Sequence, residues 1–369
     1  MTSGNRRIGV LGVGFGSAVH IPGFRSEGWD VAALYSRNEE RARAAAEADG
    51  VPDFHTNAHE LIERDDLDAI AIATPPAPHH EFALAALRSG KHVLCEKPFA
   101  LSAAQAEEMR DVAAETGRTA MVAHEFRHTP QRAQIKELLD AGYIGDFQMC
   151  TMELFLGRGG SGGRGGRGVG GPPPPMTWAS RRSDGGGFLG ALGSHFIDGL
   201  RYWFGDVETV TGHLETFQPN RTDSDSGALV QSETDDSFTF TLTFKNGGMA
   251  TMACSSAVTP ARGARIAVMG SAGTLYAEQG GPNPAEDGAI SGSQGGAPLA
   301  GIETPARLMP FSDDRDPRLM AFRLLVRDFN HGIDDGISPS PNFVDAWRCQ
   351  QVLDAVRESS DTGRTVRID

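Results

Sequence analysis

Apolar runs of four to six residues recur along the first third of the chain, each followed at once by glycine or a polar residue. Residues 7–11 (RIGVL), 31–35 (VAALY), 68–73 (DAIAIA), 92–95 (HVLC) and 119–123 (TAMVA) have this form. Continuous rather than alternating runs mark strands buried on both faces, as in a parallel sheet. Helical patterns lie between them. Asn38 stands as an N-cap before EERARAAAEA. Residues 79–89 run to a stop at Gly90, and Ser102-Ala103-Ala104-Gln105 opens a helix to about residue 115 with a capping box. The alternation predicts an N-terminal doubly wound α/β domain, a Rossmann-type parallel sheet.

The pattern changes after residue 146. Residues 146–156 read as the first strand of a second domain. Ser237–Phe244 (SFTFTLTF) alternates strictly, with Phe238, Phe240, Leu242 and Phe244 on one face and threonines on the other. Asn246-Gly247 turns this strand back into MATMACSS, which predicts an antiparallel hairpin. A second hairpin is expected from residues 265–269 and 274–277. Residues 343–359 form a helix with Ala346, Cys349, Leu353 and Val356 on one face. Two segments read as loops. Residues 157–175 (GRGGSGGRGGRGVGGPPPP) are either a mobile lid near the pocket or an insertion without a role, and residues 279–301 are polar and glycine-rich.

Composition narrows the partners. The 369 residues carry 48 acidic and 34 basic side chains, a formal net charge of −14. Such a surface repels polyanions, so neither nucleic acid nor an anionic membrane is an expected partner. The arginine–glycine tract does not change this in an acidic chain. The four cysteines, Cys95, Cys150, Cys254 and Cys349, form no CxxC pair, and the scattered histidines show no metal-ligand spacing. There is no signal-peptide pattern and no run with the length of a membrane span, so a cytoplasmic location is expected.

The strand ends carry the candidate chemistry. Gly12-Val13-Gly14-Phe15-Gly16-Ser17 follows the first strand at once. Gly12 permits a tight turn and Gly14 lets the backbone approach a pyrophosphate, while the next helix offers its N–H groups. The third glycine of the pattern falls at Ser17, which is still small enough for close helix–strand packing. The second strand ends in Tyr35-Ser36-Arg37, with no carboxylate to hold a ribose 2′-hydroxyl. Ser36 and Arg37 suit a 2′-phosphate, which favours NADP, with NAD as the other candidate. They equally open the next helix. Thr74 and Lys97 also lie just past strand ends and line the same crevice. Phe15, Gly16, Pro75, His79 and Glu96, in the same turns, join them as cofactor-side candidates, with Glu96 bracing its turn rather than reacting.

Five segments together resemble the glucose–fructose oxidoreductase/inositol dehydrogenase (Gfo/Idh/MocA) family. They are IGVLGVGFGSAVHIPGF, AIAIATPPAPHHEFALAALRSGKHVLCEKPFAL, FRHTPQRAQIKELLDAGYIGD, GGGFLGALGSHFIDGLRYWFG and DAWRCQQVLDAVRESSDTGRTVRI. The resemblance implies a Rossmann domain over 1–127. It implies an α+β domain over 128–369 with a large, open, mostly antiparallel sheet, through which the chain forms a homodimer or homotetramer. The last helix packs back on the first domain or stays with the second. The resemblance also implies NAD(P)-dependent oxidation or reduction of a sugar, keto-sugar or inositol-like polyol. Lys97 of the EKP motif then lies near nicotinamide and substrate, and His195 and Asp198 match the family's histidine and last acid. The Lys97–Pro98 bond is either cis or trans, with the family favouring cis.

One departure stands out: the usual active-site aspartate falls at position 191, and this chain has Ala191. Proton transfer must then use Lys97, His195 or water. Lys97 donates to the reacting oxygen. His195 has the intrinsic range for proton exchange near neutrality, and Asp198 shares its helix face. The competing reading makes His195 a satisfied buried histidine. Arg127 either contacts substrate or cofactor or pins the domain junction, and Trp178 stacks on a sugar face. Two functions follow: a sugar or polyol oxidoreductase, or a cofactor-binding sensor of the same fold with little turnover.

Overall fold

A computed structural model describes residues 6–157, 173–258, 261–279 and 288–368. The chain divides into two compact units, Met1–His128 with Phe311–Gln350, and Thr129–Pro310 with Gln351–Asp369. Among the described residues no helix is long and apolar enough to cross a membrane.

The first unit is built on six parallel strands: β1 (Arg7–Leu11), β2 (Asp30–Tyr35), β3 (Asp53–His55), β4 (Ala69–Ile72), β5 (His92–Cys95) and β6 (Ala120–Val122). Their order is β3-β2-β1-β4-β5-β6. All of them but β3 read as continuous apolar runs because both faces are covered; all four residues of β4 are fully buried, while β3, unanticipated at the sheet edge, is exposed or half-buried. Helix ends follow local chemistry. Asn38 Oδ1 accepts from Arg41 N at 2.9 Å and starts helix Glu39–Asp49. Ser102 Oγ accepts from Gln105 N and starts helix Ala103–Thr116, while the Gln105 side chain accepts from Leu101 N at 3.0 Å. The reciprocal bond of the capping box thus lands one residue upstream of the cap.

The chain-order division at 127/128 misses Phe311–Gln350, which belong to the first unit. The cause is aromatic packing. Helix Leu319–Asp335 buries Leu319, Phe322, Leu325, Val326 and Phe329 in the same cluster as Phe24 and Trp29. Trp29 stacks on Phe329 at 6.0 Å and donates from Nε1 to Asn330 Oδ1 at 2.7 Å. Glu27 accepts from both Arg323 and Arg327 at 2.7 Å. On the other sheet face, Phe343 and Ala346 join the cluster that holds Phe82 and Phe99.

The second unit carries β7 (Phe147–Phe155), β8 (Val207–Glu215), β9 (Asn220–Thr222), β10 (Leu229–Gln231), β11 (Ser237–Phe244), β12 (Met249–Ser255), β13 (Gly263–Gly270), β14 (Gly273–Gln279), β15 (Ala289–Gln294), β16 (Ala300–Ile302) and β17 (Val366–Arg367). Strands β9 and β10 pair as a separate ribbon; the rest form a nine-stranded sheet, β16-β15-β14-β13-β7-β12-β11-β8-β17. Among the described residues only β7 and β12 pair in parallel; the other neighbours are antiparallel, as the fold class expected. The four apolar residues of SFTFTLTF are buried while Thr239 and Thr241 face outward.

Strand β17 covers only part of β8. Beyond it, Ser359 Oγ accepts from Gly212 N and Ser360 Oγ from Leu214 N, both at 2.9 Å, so hydroxyls satisfy an edge that a further strand would otherwise claim. The loop expected over 279–301 is partly strand. Residues 289–294 pair with β14 through the backbone, and Gly292 lies where a Cβ would meet Tyr143 Oη at 2.5 Å. Polar, glycine-containing sequence suffices because the pairing needs no side chain there. The glycine tract 158–172 lies outside the described residues.

Phe322 is fully buried. Its replacement by alanine is expected to remove about 3–5 kcal/mol from the first unit. A lowered urea midpoint, followed by tryptophan fluorescence, checks this; an unchanged midpoint would mean the helix adds nothing to the core.

Candidate active site

In the first unit the candidates gather at the carboxyl ends of the strands, on either side of the point where the order reverses between β1 and β4. Gly12 has φ +113°, and a Cβ there would collide with the Ala73 carbonyl. Its N–H donates to Tyr35 O at 2.9 Å, and Ala73 N donates to Leu11 O at 2.8 Å. Three strand ends are thereby stitched at one glycine. Gly14 is exposed, and a Cβ on it would meet nothing within 4 Å.

The packing role expected of Ser17 falls to Gly16 instead. A Cβ on Gly16 would lie 3.0 Å from Val10 Cγ1. The shift comes from the wide π-helical turn Gly16–His20, which precedes helix Ile21–Ser26 and changes which residue meets the strand. Ser17 is left with a buried Oγ that has no hydrogen-bond partner, and Thr74 Oγ1 just past β4 is in the same state. Two buried hydroxyls flanking an open glycine turn fit the phosphates and ribose of a dinucleotide.

At the β2 tip, Ser36 N donates to His55 O at 3.2 Å and Arg37 is exposed. No carboxylate stands at Tyr35-Ser36-Arg37; Glu39, in the next helical turn, is tied to Arg43 at 2.6 Å. His79 is fully buried, with Nε2 2.9 Å from Thr74 O and Nδ1 3.1 Å from Pro98 O. Burial pushes its proton affinity down. The ring is a strut between the Thr74-Pro75 turn and the Pro98 turn, with a carbonyl facing each nitrogen; the neutral ring donates to one of them. Phe15 is half-buried, with the Arg318 guanidinium 4.8 Å from its ring centroid.

The β5 end carries Glu96, Lys97 and a cis bond to Pro98. Glu96 is 6% exposed. Its Oε1 accepts from His20 Nε2 at 2.9 Å, and its Oε2 accepts from Lys97 N at 3.2 Å. Burial works to raise the Glu96 carboxyl, but the His20 bond and the nearby Lys97 charge outweigh it and hold the group below its ordinary range. Lys97 is half-buried. Past β6, Arg127 Nη1 donates to Ser340 Oγ at 2.6 Å, and Nη2 lies 3.4 Å from Asp345 Oδ1. Both bonds are made within the first unit. His20 and the Ser17 hydroxyl were not singled out from the sequence as site groups. The signal available for His20 was its place in the quoted GFGSAVHIPGF segment, one turn after the glycines.

Trp178, His195 and Asp198 belong to the second unit. Helix Ser194–Phe204 buries His195 (3% exposed) and Asp198 (1%), three positions apart on one face. A π-helical turn, Leu189–Gly193, leads into it and includes the half-buried Ala191. Asp235 anchors that turn, accepting from Leu189 N at 2.7 Å; burial raises its carboxyl. Gly187, at φ +117°, has no room for a Cβ beside Asp235 Oδ1. Trp178 is half-buried and opens the short turn Trp178–Ser180, which is stitched to the same segment by Gly187 N to Ala179 O at 2.9 Å.

Residues 6–124 match the model of an oxidoreductase family with an NAD-binding Rossmann fold, and residues 133–276 match the GFO/IDH/MocA C-terminal domain. An uncharacterized oxidoreductase of Synechocystis is 27% identical, aligned over 97% of this chain and 94% of its own. Levoglucosan dehydrogenase of Pseudarthrobacter phenanthrenivorans is 30% identical over 61% of this chain and 57% of its own. Among solved structures, an oxidoreductase domain protein from Kribbella flavida superposes with a TM-score of 0.87 at 28% identity, covering 99% of both chains. Levoglucosan dehydrogenase in complex with NADH and levoglucosan gives 0.86 at 22% identity, covering 99% of both chains, a likeness of fold. With both halves of the chain matched, the protein belongs to the Gfo/Idh/MocA family of oxidoreductases, with an NAD-binding Rossmann fold in its first unit.

Proposed function

We propose that the protein moves a hydride between NADP(H), or else NAD(H), and a hydroxyl or keto carbon of a sugar, keto-sugar or polyol. The cradle carries this reading: an open glycine turn between the buried, unpartnered hydroxyls of Ser17 and Thr74, with Lys97 at the next strand end. Kinship with levoglucosan dehydrogenase supports a carbohydrate substrate. The β2 tip supports NADP(H), since Ser36 and the exposed Arg37 stand where a carboxylate would repel a 2′-phosphate.

The bound cofactor supplies the hydride donor or acceptor. Lys97 donates a hydrogen bond to the substrate oxygen, His195 exchanges the proton there, and Asp198 orients His195. Trp178 supplies an apolar surface for the sugar ring. Ala191 favours one second reading, a sugar sensor that binds cofactor with little turnover, because the family's acid is missing there.

We also propose that the chain forms a homodimer or homotetramer through the sheet of its second unit. In register across that sheet stand Thr211, Thr241, Thr251 and Thr151, followed by Ala267 and Tyr276. The four threonines and Ala267 form a row of small side chains, bounded by Tyr276, suited to packing against another sheet.

Purified protein given NADP⁺ or NAD⁺ and a panel of sugars and polyols is expected to change absorbance at the nicotinamide band. Lys97→Met should lower kcat by about 100-fold or more and change cofactor affinity little. Cofactor binding without redox change across the panel supports the sensor instead. Arg37→Ala is expected to weaken NADPH about tenfold while leaving NADH nearly unchanged; equal losses for both would remove the 2′-phosphate role. Thr241→Arg is expected to reduce the mass in light scattering from oligomer to monomer, and an unchanged mass would rule out this face.

A further inference from the structure

Glu125 follows β6 in the short turn Glu125–His128, is 2% exposed, and leaves Oε2 buried with no hydrogen-bond partner. The cations around it are committed elsewhere. On its own turn, Arg127 holds Ser340 and Asp345, and His128 faces Asp328 of helix Leu319–Asp335 at 3.5 Å. From the same helix, Arg323 and Arg327 grip Glu27. Arg318, just before that helix, holds Asp316 with bonds of 2.8 and 2.7 Å. His20, on the turn after β1, is bonded to Glu96. The charges that still reach Glu125 through space are those of Glu96 and Lys97 at the β5 end and of Arg318.

Two carboxyls close together in apolar surroundings resist ionising together. Glu96 has the His20 bond and takes the charge. Burial, and then the Glu96 charge, push the Glu125 carboxyl up to about 8. In the reading above, the pyrophosphate lies on the Gly12 turn and the adenosine toward β2. The nicotinamide ring then falls over the ends of β4 and β5, beside the turn that holds Glu125.

We propose that Glu125 is a positioning acid tuned to the charge of the nicotinamide ring: neutral in the free protein, it releases its proton to solvent when the positively charged oxidised ring binds, and keeps it when the ring is reduced and neutral. The inference rests on the cofactor reading of the strand-end crevice. The balance is simple. The O–H bond of the carboxylic acid breaks, the carboxylate stays to face the ring, and one proton leaves; no electrons move. An added positive charge lowers the proton affinity of a carboxyl whose affinity was raised in the free protein. Affinity for the oxidised cofactor therefore rises with pH, by up to about tenfold per unit, and levels off above about 8.

Calorimetric titration of the full chain with NADP⁺ and with NADPH, between about pH 6 and 9 and in buffers of different ionisation enthalpy, reads both affinity and protons released. The expected result near neutrality is release approaching one proton with NADP⁺, none with NADPH, and a pH slope for the oxidised form alone. Glu125→Gln, which keeps a neutral side chain of the same shape, should lose the slope and the release while binding NADPH as before. The wild-type comparison needs no variant: equal release by both forms, or none by either, overturns the proposal even if the glutamine protein fails to fold. A Glu125→Gln protein that still releases the proton overturns it as well. Binding of neither form at any pH sinks the dinucleotide reading and this inference with it. Binding of both without a difference sinks only this inference.

Discussion

The contact between Gly12 and the Ala73 carbonyl is the constraint on which the rest of the first unit turns. Strands β1 and β4 are neighbours whose chains leave toward opposite sides of the sheet, and their ends meet with no space for a Cβ. Any larger residue would part those ends. The bonds from Gly12 N to Tyr35 O and from Ala73 N to Leu11 O would go with them. Because the ends do meet, Ser17 and Thr74 come to flank the same opening, and their hydroxyls stay buried without a protein partner. An unmade hydrogen bond in a buried site costs about 1–3 kcal/mol. Two at one turn are a cost that a ligand with acceptor oxygens would remove.

Five strands of the first sheet were legible because burial on both faces writes a simple signal, the unbroken apolar run; the edge strand β3, exposed or half-buried, carries none. Helix starts were legible at Asn38 and Ser102 because a cap is a local bond between near neighbours. What could not be read were features whose partner lies far along the chain. Helix Leu319–Asp335 completes a face begun by Phe24 and Trp29, some three hundred residues earlier. Strand β15 has almost no apolar signal, since it joins the sheet by backbone pairing to β14. The move of the packing glycine from Ser17 to Gly16 depends on a π-helical turn, which no spacing rule for ordinary helices anticipates.

The same division runs through the candidate site. Lys97, His195 and Asp198 stood out because each sits in a compact local pattern, and helical spacing alone puts the last two on one face. Glu96 reads as a brace for its turn, and one of its oxygens accepts from Lys97 N. His20 carried no such pattern. His20 reaches Glu96 across 76 residues. Glu125 has its character from burial and from a carboxyl on a neighbouring strand. Proton affinities of this kind are properties of tertiary surroundings, so the residue type alone does not announce them.

A buried hydrogen-bonded acid and histidine add little net stability, because desolvation offsets most of the attraction. The His20–Glu96 pair is better understood by what it orients. One Glu96 oxygen is fixed by His20, which is itself wedged 4.5 Å from the Phe322 ring and 5.8 Å from Phe15. The other oxygen then holds the Lys97 N–H. The path runs from the aromatic core of helix Leu319–Asp335 through His20 and Glu96 to the backbone from which the Lys97 side chain departs. A packed core is rigid to within the room its neighbours leave. Hydrogen bonds carry that rigidity to the backbone of a residue that stands half in solvent. The aromatic cluster that recruits Phe311–Gln350 to the first unit therefore serves two ends at once: it covers one face of the sheet, and it anchors the backbone of the lysine proposed to meet the substrate oxygen.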